Sequence, residues 1–173
     1  LANATFRQLP GNSTLALRYT QDELKGDTPI GTSVLGTTTG GRVLTGPDES
    51  DFRGLIENRT YTLALNSAPA KNLDTRIWYN YYKRDDKGTQ VTFDAQGATG
   101  AGGPFENEGF SYKKNNYGLD AYYRLNRENR IGGGYDYLKT ERTRFDFDET
   151  EDSRWFLEWS LTTACRSLRR KLR

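Results

Sequence analysis

The stretch RIWYNYYKRDD, residues 76–86, places one Trp and three Tyr directly before a cluster of charges. Ile77, Tyr79 and Tyr81 occur at every second position and alternate with more polar residues, except that Trp78 falls among the polar set. Successive side chains of a β-strand point to opposite faces. The stretch therefore predicts a strand with one apolar and one polar face, whose aromatic end marks a boundary between two environments.

The same alternation recurs along the chain. Further segments of this kind are STLALRYTQD (13–22), RTYTLALNS (59–67), NYGLDAYYRLN (116–126), IGGGYDY (131–137) and RWFLEWSLT (154–162), with a weaker one at residues 2–8. They predict about seven antiparallel strands. The glycines of IGGGYDY indicate either bending of the sheet or close approach of another group.

The connections between these strands alternate in length. Short Pro-, Gly- or Asn-containing turns are predicted at 9–12, 67–72 and 126–130, and long polar segments at 21–54 and 85–111, with a shorter acidic one near 143–150. Short turns on one side and long loops on the other are typical of outer-membrane barrels. The sequence thus predicts an all-β fold, an antiparallel up-and-down transmembrane β-barrel.

Each predicted face has its own candidate site. Residues of the polar face are expected to line a lumen and contact an enclosed partner, or else to line water and pair among themselves: Asp74, Arg76, Asn80, Asp120, Arg124, Asp136 and Glu158. Aromatic residues of the other face are expected at the membrane interface, in contact with outer-membrane lipid: Tyr79, Tyr81, Tyr123, Tyr135, Tyr137, Trp155 and Trp159.

Composition excludes several functions. The net charge of +2 arises from 25 basic and 23 acidic residues, so no overall field favours nucleic acid. The chain has no His and a single Cys, Cys165, which excludes haem attachment, a His-bearing zinc site and a Ser-His-Asp triad within it. Asp146, Asp148 and Glu149 fit a solvated acidic loop better than a Ca²⁺ site. We therefore expect neither a cofactor, a metal ion nor enzymatic activity.

Two long runs carry a family resemblance. They are NRTYTLALNSAPAKNLDTRIWYNYYKRDD and FSYKKNNYGLDAYYRLNRENRIGGGYDYLKTERTRFDFDETEDSRW. In the order and spacing of their strands, from about residue 13 to 162, they resemble the MtrB/PioB family of outer-membrane β-barrel proteins associated with decahaem cytochromes. The resemblance implies a sheath in the bacterial outer membrane that encloses a multihaem c-type cytochrome, without a cofactor of its own.

The same resemblance sets the expected organisation. Members of that family are several times longer, and seven strands are fewer than the eight of the smallest single-chain barrels. Residues 1–162 are therefore expected to be part of a larger barrel, followed by a basic tail at 163–173. The alternative functions are a porin or TonB-dependent-receptor-like barrel that passes solutes and, less favoured because His is absent, a barrel enzyme of the lipase or protease type.

Overall fold

A computed structural model describes residues 1–30, 47–93, 105–143 and 148–162 of the chain. These residues form nine strands: β1 (Ala2–Leu9), β2 (Ser13–Pro29), β3 (Asp51–Ala70), β4 (Leu73–Asp86), β5 (Thr92–Phe93), β6 (Phe105–Glu106), β7 (Tyr112–Arg124), β8 (Asn129–Arg142) and β9 (Glu149–Leu161). Across these ranges, no helix is long and apolar enough to cross a membrane.

Seven of the strands form one antiparallel sheet in the order β1-β2-β3-β4-β7-β8-β9. Each long strand pairs with the long strand next to it in the chain, so the sheet is an up-and-down meander. The prediction of seven antiparallel strands is confirmed. The sheet is open, and the outer edges of β1 and β9 have no partner strand within the described residues.

The short turns all lie at one end of the sheet, which we call the turn end. The first of them uses Gly11 and Asn12, both with positive φ (73° and 50°), a conformation that favours glycine and asparagine. The Ser13 hydroxyl donates to the carbonyl of Pro10 (2.7 Å) and lies within hydrogen-bond distance of the Ser67 hydroxyl (2.8 Å), which ties this turn to β3. The longer connections leave the opposite end, the loop end, as the sequence predicted.

The strands extend further than the sequence predicted. Residues 21–29 and 51–54 were expected in a loop, but β2 and β3 stay paired from Thr14 opposite Asn66 to Pro29 opposite Asp51. Polar residues occupy both faces in this part, so hydrophobic alternation gives no signal, while the backbone hydrogen bonds continue. In the predicted loop 85–111, β4 runs to Asp86 and the hairpin of β5 and β6 follows. Residues 163–173, including Cys165, and Asp146 lie outside the described residues.

The connections meet above the loop end of the sheet. The amide of Thr89 donates to the carbonyl of Arg53 (2.9 Å), and the amide of Thr92 donates to the carboxylate of Asp48 (2.8 Å). Val91 lies in this region and is the one buried hydrophobic side chain of the described part. The sheet itself is a single layer without an apolar interior, so its hydrophobic side chains must find their apolar contacts outside this layer.

Candidate functional site

One face of the sheet, the apolar face, carries hydrophobic side chains in successive register rows. Leu119 of β7, for example, lies between Ile77 of β4 and Tyr135 of β8. Many of these side chains are open to the surroundings, up to 85% for Leu157 of β9. Soluble proteins rarely expose an apolar patch that is continuous across several strands. The apolar face is therefore suited to a hydrocarbon environment.

Tyrosine rings form a belt on the apolar face towards the loop end. Tyr19, Tyr61 and Tyr81 share one register row, with ring centroids 4.9 and 5.7 Å apart. Tyr117 and Tyr137, 5.0 Å apart, continue the belt one row nearer the turn end. Strands of a barrel are tilted, so a step of this kind keeps neighbouring rings at similar depth. We call these five residues the tyrosine belt.

The seven aromatic residues that the sequence assigned to the membrane interface all lie on the apolar face. Tyr79, Tyr81 and Tyr137 lie towards the loop end, Tyr123 and Trp159 lie at the turn end, and Tyr135 packs against Trp155 with centroids 4.3 Å apart. Their contact with lipid stays a prediction. Tyr19, Tyr61 and Tyr117 belong to the same face and were not selected, although the same alternation marks them.

The distance between the aromatic residues towards the loop end and those at the turn end fits the thickness of a bilayer. Along β4, the span from Leu73 to Tyr81 is about 27 Å at ~3.4 Å per residue. A strand tilt of ~40° reduces it to about 20 Å along the membrane normal, close to the ~25 Å apolar band of outer-membrane barrels.

The opposite face, the polar face, carries all seven residues that the sequence assigned to a lumen. Their positions in the register rows place Asp74, Arg76, Asn80, Asp120, Arg124, Asp136 and Glu158 on this one face. Arg124 donates to Asp74 across β7 and β4 (2.7 Å), and Arg154 approaches Asp136 across β9 and β8 (3.5 Å). Their contact with a partner stays a prediction, but part of this row is paired internally.

Asn116 of β7 is the centre of a hydrogen-bond network on the polar face. Its side-chain oxygen accepts from the indole of Trp78 (3.2 Å) and from Asn80 (3.4 Å). Its amide nitrogen donates to Asp136 (2.7 Å), which in turn meets Arg154. The network crosses four adjacent strands, and sequence reasoning did not select Asn116.

A second network lies on the same face nearer the loop end. Asn58 donates to Asp22 (2.7 Å) and accepts from the Tyr82 hydroxyl (2.8 Å). The Tyr82 ring lies against Tyr112 with centroids 5.5 Å apart. The polar face is thus linked laterally from β2 to β9, which stiffens a sheet that has no core.

Each aromatic ring in the middle of the polar face lies opposite a glycine. Trp78 faces Gly118, Tyr122 faces Gly132 and Phe156 faces Gly134. A Cβ atom at any of these glycines would overlap the facing ring. Gly132 and Gly134 of IGGGYDY therefore serve close approach, one of the two alternatives that the sequence left open, and the approaching rings belong to the chain itself.

A concave pocket of about 440 Å³ lies on the polar face near the turn end. Its lining includes Asp74, Arg76, Asp120, Tyr122 and Arg130. The Arg130 guanidinium lies 3.8 Å from the centroid of the Tyr122 ring, and Arg76 lies 5.4 Å from that of Trp78, both within cation–π range. The pocket presents flat cationic groups beside carboxylates.

Charged residues follow the tyrosine belt on the loop side of the apolar face. The ion pair of Lys83 with Asp85 (2.7 Å) lies beyond Tyr81, and Glu57 is bound by Lys87 (2.7 Å). The hydrogen bond from Lys83 lowers the pKa of Asp85, and the one from Lys87 lowers the pKa of Glu57. Paired charges of this kind suit water rather than hydrocarbon, so this part of the surface is expected beyond the apolar band.

The described residues contain no group of three or more Cys, Asp or Glu side chains arranged to hold a metal ion. The chemistry that the polar face offers is hydrogen bonding, ion pairing and aromatic contact.

A single-layer antiparallel sheet with a lipid-compatible face, aromatic levels at two depths and a hydrogen-bonded polar face defines the wall of a transmembrane β-barrel. A family model described as "Putative outer membrane beta-barrel porin, MtrB/PioB" matches residues 11–166. The chain belongs to this family, as its sequence resemblance predicted. The family is one of porin-type barrels of the outer membrane and not a family of enzymes. No curated protein matches the chain significantly.

Proposed function

We propose that this sheet is part of a bacterial outer-membrane barrel that encloses a multihaem c-type cytochrome and so supports electron transfer across the membrane. The barrel acts as a scaffold, without catalysis or a redox cofactor of its own. Electrons pass through the haems of the enclosed protein, and the barrel holds that protein in place and shields it from lipid.

The observation that carries the proposal is the composition of the polar face. Trp78, Tyr82, Tyr122 and Phe156 lie there among arginines. Trp, Tyr and Arg are the residues enriched in protein interfaces and their hot spots. Hydrated ions make few favourable contacts with such rings, whereas a protein surface seated against this face can pack on them.

The charges of the polar face also favour an enclosed protein. Selective pores place rings of like charge along the path. Here carboxylates and guanidinium groups alternate and pair across strands, as in Asp74 with Arg124 and Asp136 with Arg154. A face whose charges are paired can lie against a folded partner without leaving a buried charge unpaired, which is the more costly arrangement.

The open edges support membership of a larger barrel. In lipid, unpaired backbone groups of an edge strand cost several kcal/mol each, so membrane sheets close on themselves. Trp155 of β9 is 77% exposed, which fits a strand whose outer neighbour is missing. We infer that further strands pair with β1 and β9 to complete the barrel.

A porin is the second candidate, and the pocket of about 440 Å³ favours it, because its charged lining suits a hydrated solute. The two functions are separated by purifying the full-length barrel protein from its native membrane. We expect co-purification of a protein that stains for haem and shows a c-type absorption spectrum. If the protein conducts ions in planar bilayers and no haem-bearing partner co-purifies, the porin function is correct and the sheath function is wrong.

A pair of Trp variants tests which face is used. Trp78→Ala removes a ring from the polar face, and Trp159→Ala removes one from the apolar face. With folding verified by heat-modifiable migration in gels, only Trp78→Ala should reduce the haem recovered with the barrel. An equal yield of haem from both variants would contradict contact through the polar face.

A further inference from the structure

A row of basic side chains follows the tyrosine belt on the apolar face. One basic residue lies on the loop side of the belt on each of four adjacent strands, β3, β4, β7 and β8. These residues, here called the basic row, are Arg59, Lys83, Lys113 and Lys139. On β3, β4 and β8, the basic residue occupies the next position of the same face after the belt tyrosine.

Across β3, β4 and β7 the basic row places like charges opposite each other. Arg59 lies directly opposite Lys83, which lies directly opposite Lys113. Like charges in this position are unfavourable in a sheet. On β8, Lys139 lies one row nearer the turn end than Lys113, a step of the same size and direction as the one that the belt makes one strand earlier, between Tyr81 and Tyr117. The common feature of the row is therefore its position on the loop side of the belt, one same-face position beyond it on three strands and two on β7.

The carboxylates that neutralise the row leave its membrane side free. Arg59 meets Glu57 (3.0 Å) and Lys83 meets Asp85 (2.7 Å), and both acids lie one row further towards the loop end. Side chains of the basic row keep 30–44% of their surface exposed. Lys113 meets Glu141 (2.7 Å), and Lys139 meets both Glu149 (2.9 Å) and Glu151 (3.6 Å). An ammonium group has three N–H donors and a guanidinium five, more than these contacts use, and the remaining donors are available to anions at the level of the belt.

We propose that the basic row binds phosphate groups of lipid headgroups in the leaflet at the loop end. This inference rests on the proposed insertion of the sheet in a membrane, but not on the cytochrome. Tyrosine belts mark the headgroup level, and the next position on the same face lies about 5 Å further along the membrane normal. Arg and Lys are the side chains that bind phosphate best.

The width of the row indicates the kind of lipid. Three interstrand spacings cover about 14 Å, which is wider than one phosphate group. A headgroup that carries two phosphates can contact two strands or more at once, and the gain from a second contact is large when both belong to one molecule. The row therefore favours a bisphosphorylated lipid over a lipid with one phosphate.

Native mass spectrometry of the full-length barrel protein in detergent tests the proposal. The probes are bisphosphorylated lipid A, its monophosphorylated form and phosphatidylcholine. The test variant carries Arg59→Gln, Lys83→Gln, Lys113→Gln and Lys139→Gln. The matched control removes four cations outside the row, with Lys25→Gln, Arg53→Gln, Lys71→Gln and Arg127→Gln.

We expect the bisphosphorylated lipid to bind the unmodified protein and the control alike, and the test variant at least roughly tenfold more weakly. Equal affinity of test and control variants, or equal binding of all three lipids, would overturn the proposal. Should the test variant fail to fold, a salt titration of the unmodified protein decides, because binding through phosphate must weaken as salt rises. Flotation with vesicles tests membrane insertion separately, and haem staining of the purified protein tests the proposed binding of a cytochrome.

Discussion

Replacing Gly134 of β8 should destabilise the sheet because a ring and a backbone carbonyl occupy the space above it. A Cβ atom there would lie 2.5 Å from the Asp120 carboxylate and from the Phe156 ring, and 2.6 Å from the Leu119 carbonyl oxygen. The two side chains can rotate away. The carbonyl belongs to β7, next to β8, so relieving that contact requires the backbone of the sheet to shift.

Two opposing effects determine how much Gly134→Ala changes the free energy of unfolding. Insertion of a methyl group into a packed site costs about 1–3 kcal/mol, while Ala is favoured over Gly within a strand by roughly 0.5–1 kcal/mol. Gly26 of β2 is the matched control, because a Cβ atom there would meet nothing within 4 Å. Gly26→Ala should therefore stabilise slightly. The difference between the two variants, about 1–3 kcal/mol, measures the overlap alone.

Urea unfolding of the full-length protein in detergent micelles, followed by tryptophan fluorescence, gives both free energies. Substitution by Val extends the series. Gly134→Val should be less stable than Gly134→Ala because its side chain is larger. Gly26→Val should be no less stable than Gly26→Ala, since β-branched residues suit strands. If Gly134→Ala and Gly26→Ala agree within roughly 0.5 kcal/mol, the space above Gly134 can take a methyl group, and close packing at Gly118 and Gly132 is not supported either.

Three further outcomes are expected. Leu63→Arg on the apolar face should cost about 2–4 kcal/mol in the same titration, whereas Thr62→Arg on the polar face should cost much less; equal losses would mean that the faces are not different environments. Asn116→Ala should lower the free energy of unfolding by about 1–3 kcal/mol, because Trp78 and Asp136 lose their hydrogen bonds to the Asn116 side chain. Unchanged stability would show that water takes the place of that side chain. Asp86→Ala removes the acceptor of two loop amides and should speed protease cleavage between residues 87 and 111, and an unchanged digestion pattern would contradict that role.

The faces of the sheet were predictable from sequence because a strand has a period of two. Ile77 and Tyr79 on one side and Trp78 on the other follow from alternation alone, and the structure places them so. This signal weakens at the loop end, where β2 and β3 continue with polar residues on both faces. There, backbone pairing determines the strand ends, and composition carries little information.

The lateral contacts of the polar face could not be predicted. Asn116 meets Trp78 and Asp136, which lie 38 and 20 positions away in the chain. The position of Gly134 opposite Phe156 likewise depends on the register between β8 and β9. Register is fixed by turn geometry and loop length together, and a sequence of weak alternating strands leaves several registers open.

Because each of the seven strands pairs only with the strands beside it in the chain, the wall is built as a series of hairpins. A hairpin added or lost at a loop changes the circumference by about two interstrand spacings, ~10 Å, without altering any ladder inside the remaining hairpins. The diameter of such a wall can therefore change during evolution independently of its thickness. Duplication of a hairpin can therefore adapt barrels of this design to enclosed proteins of different diameter, while the thickness of the membrane that they cross stays the same.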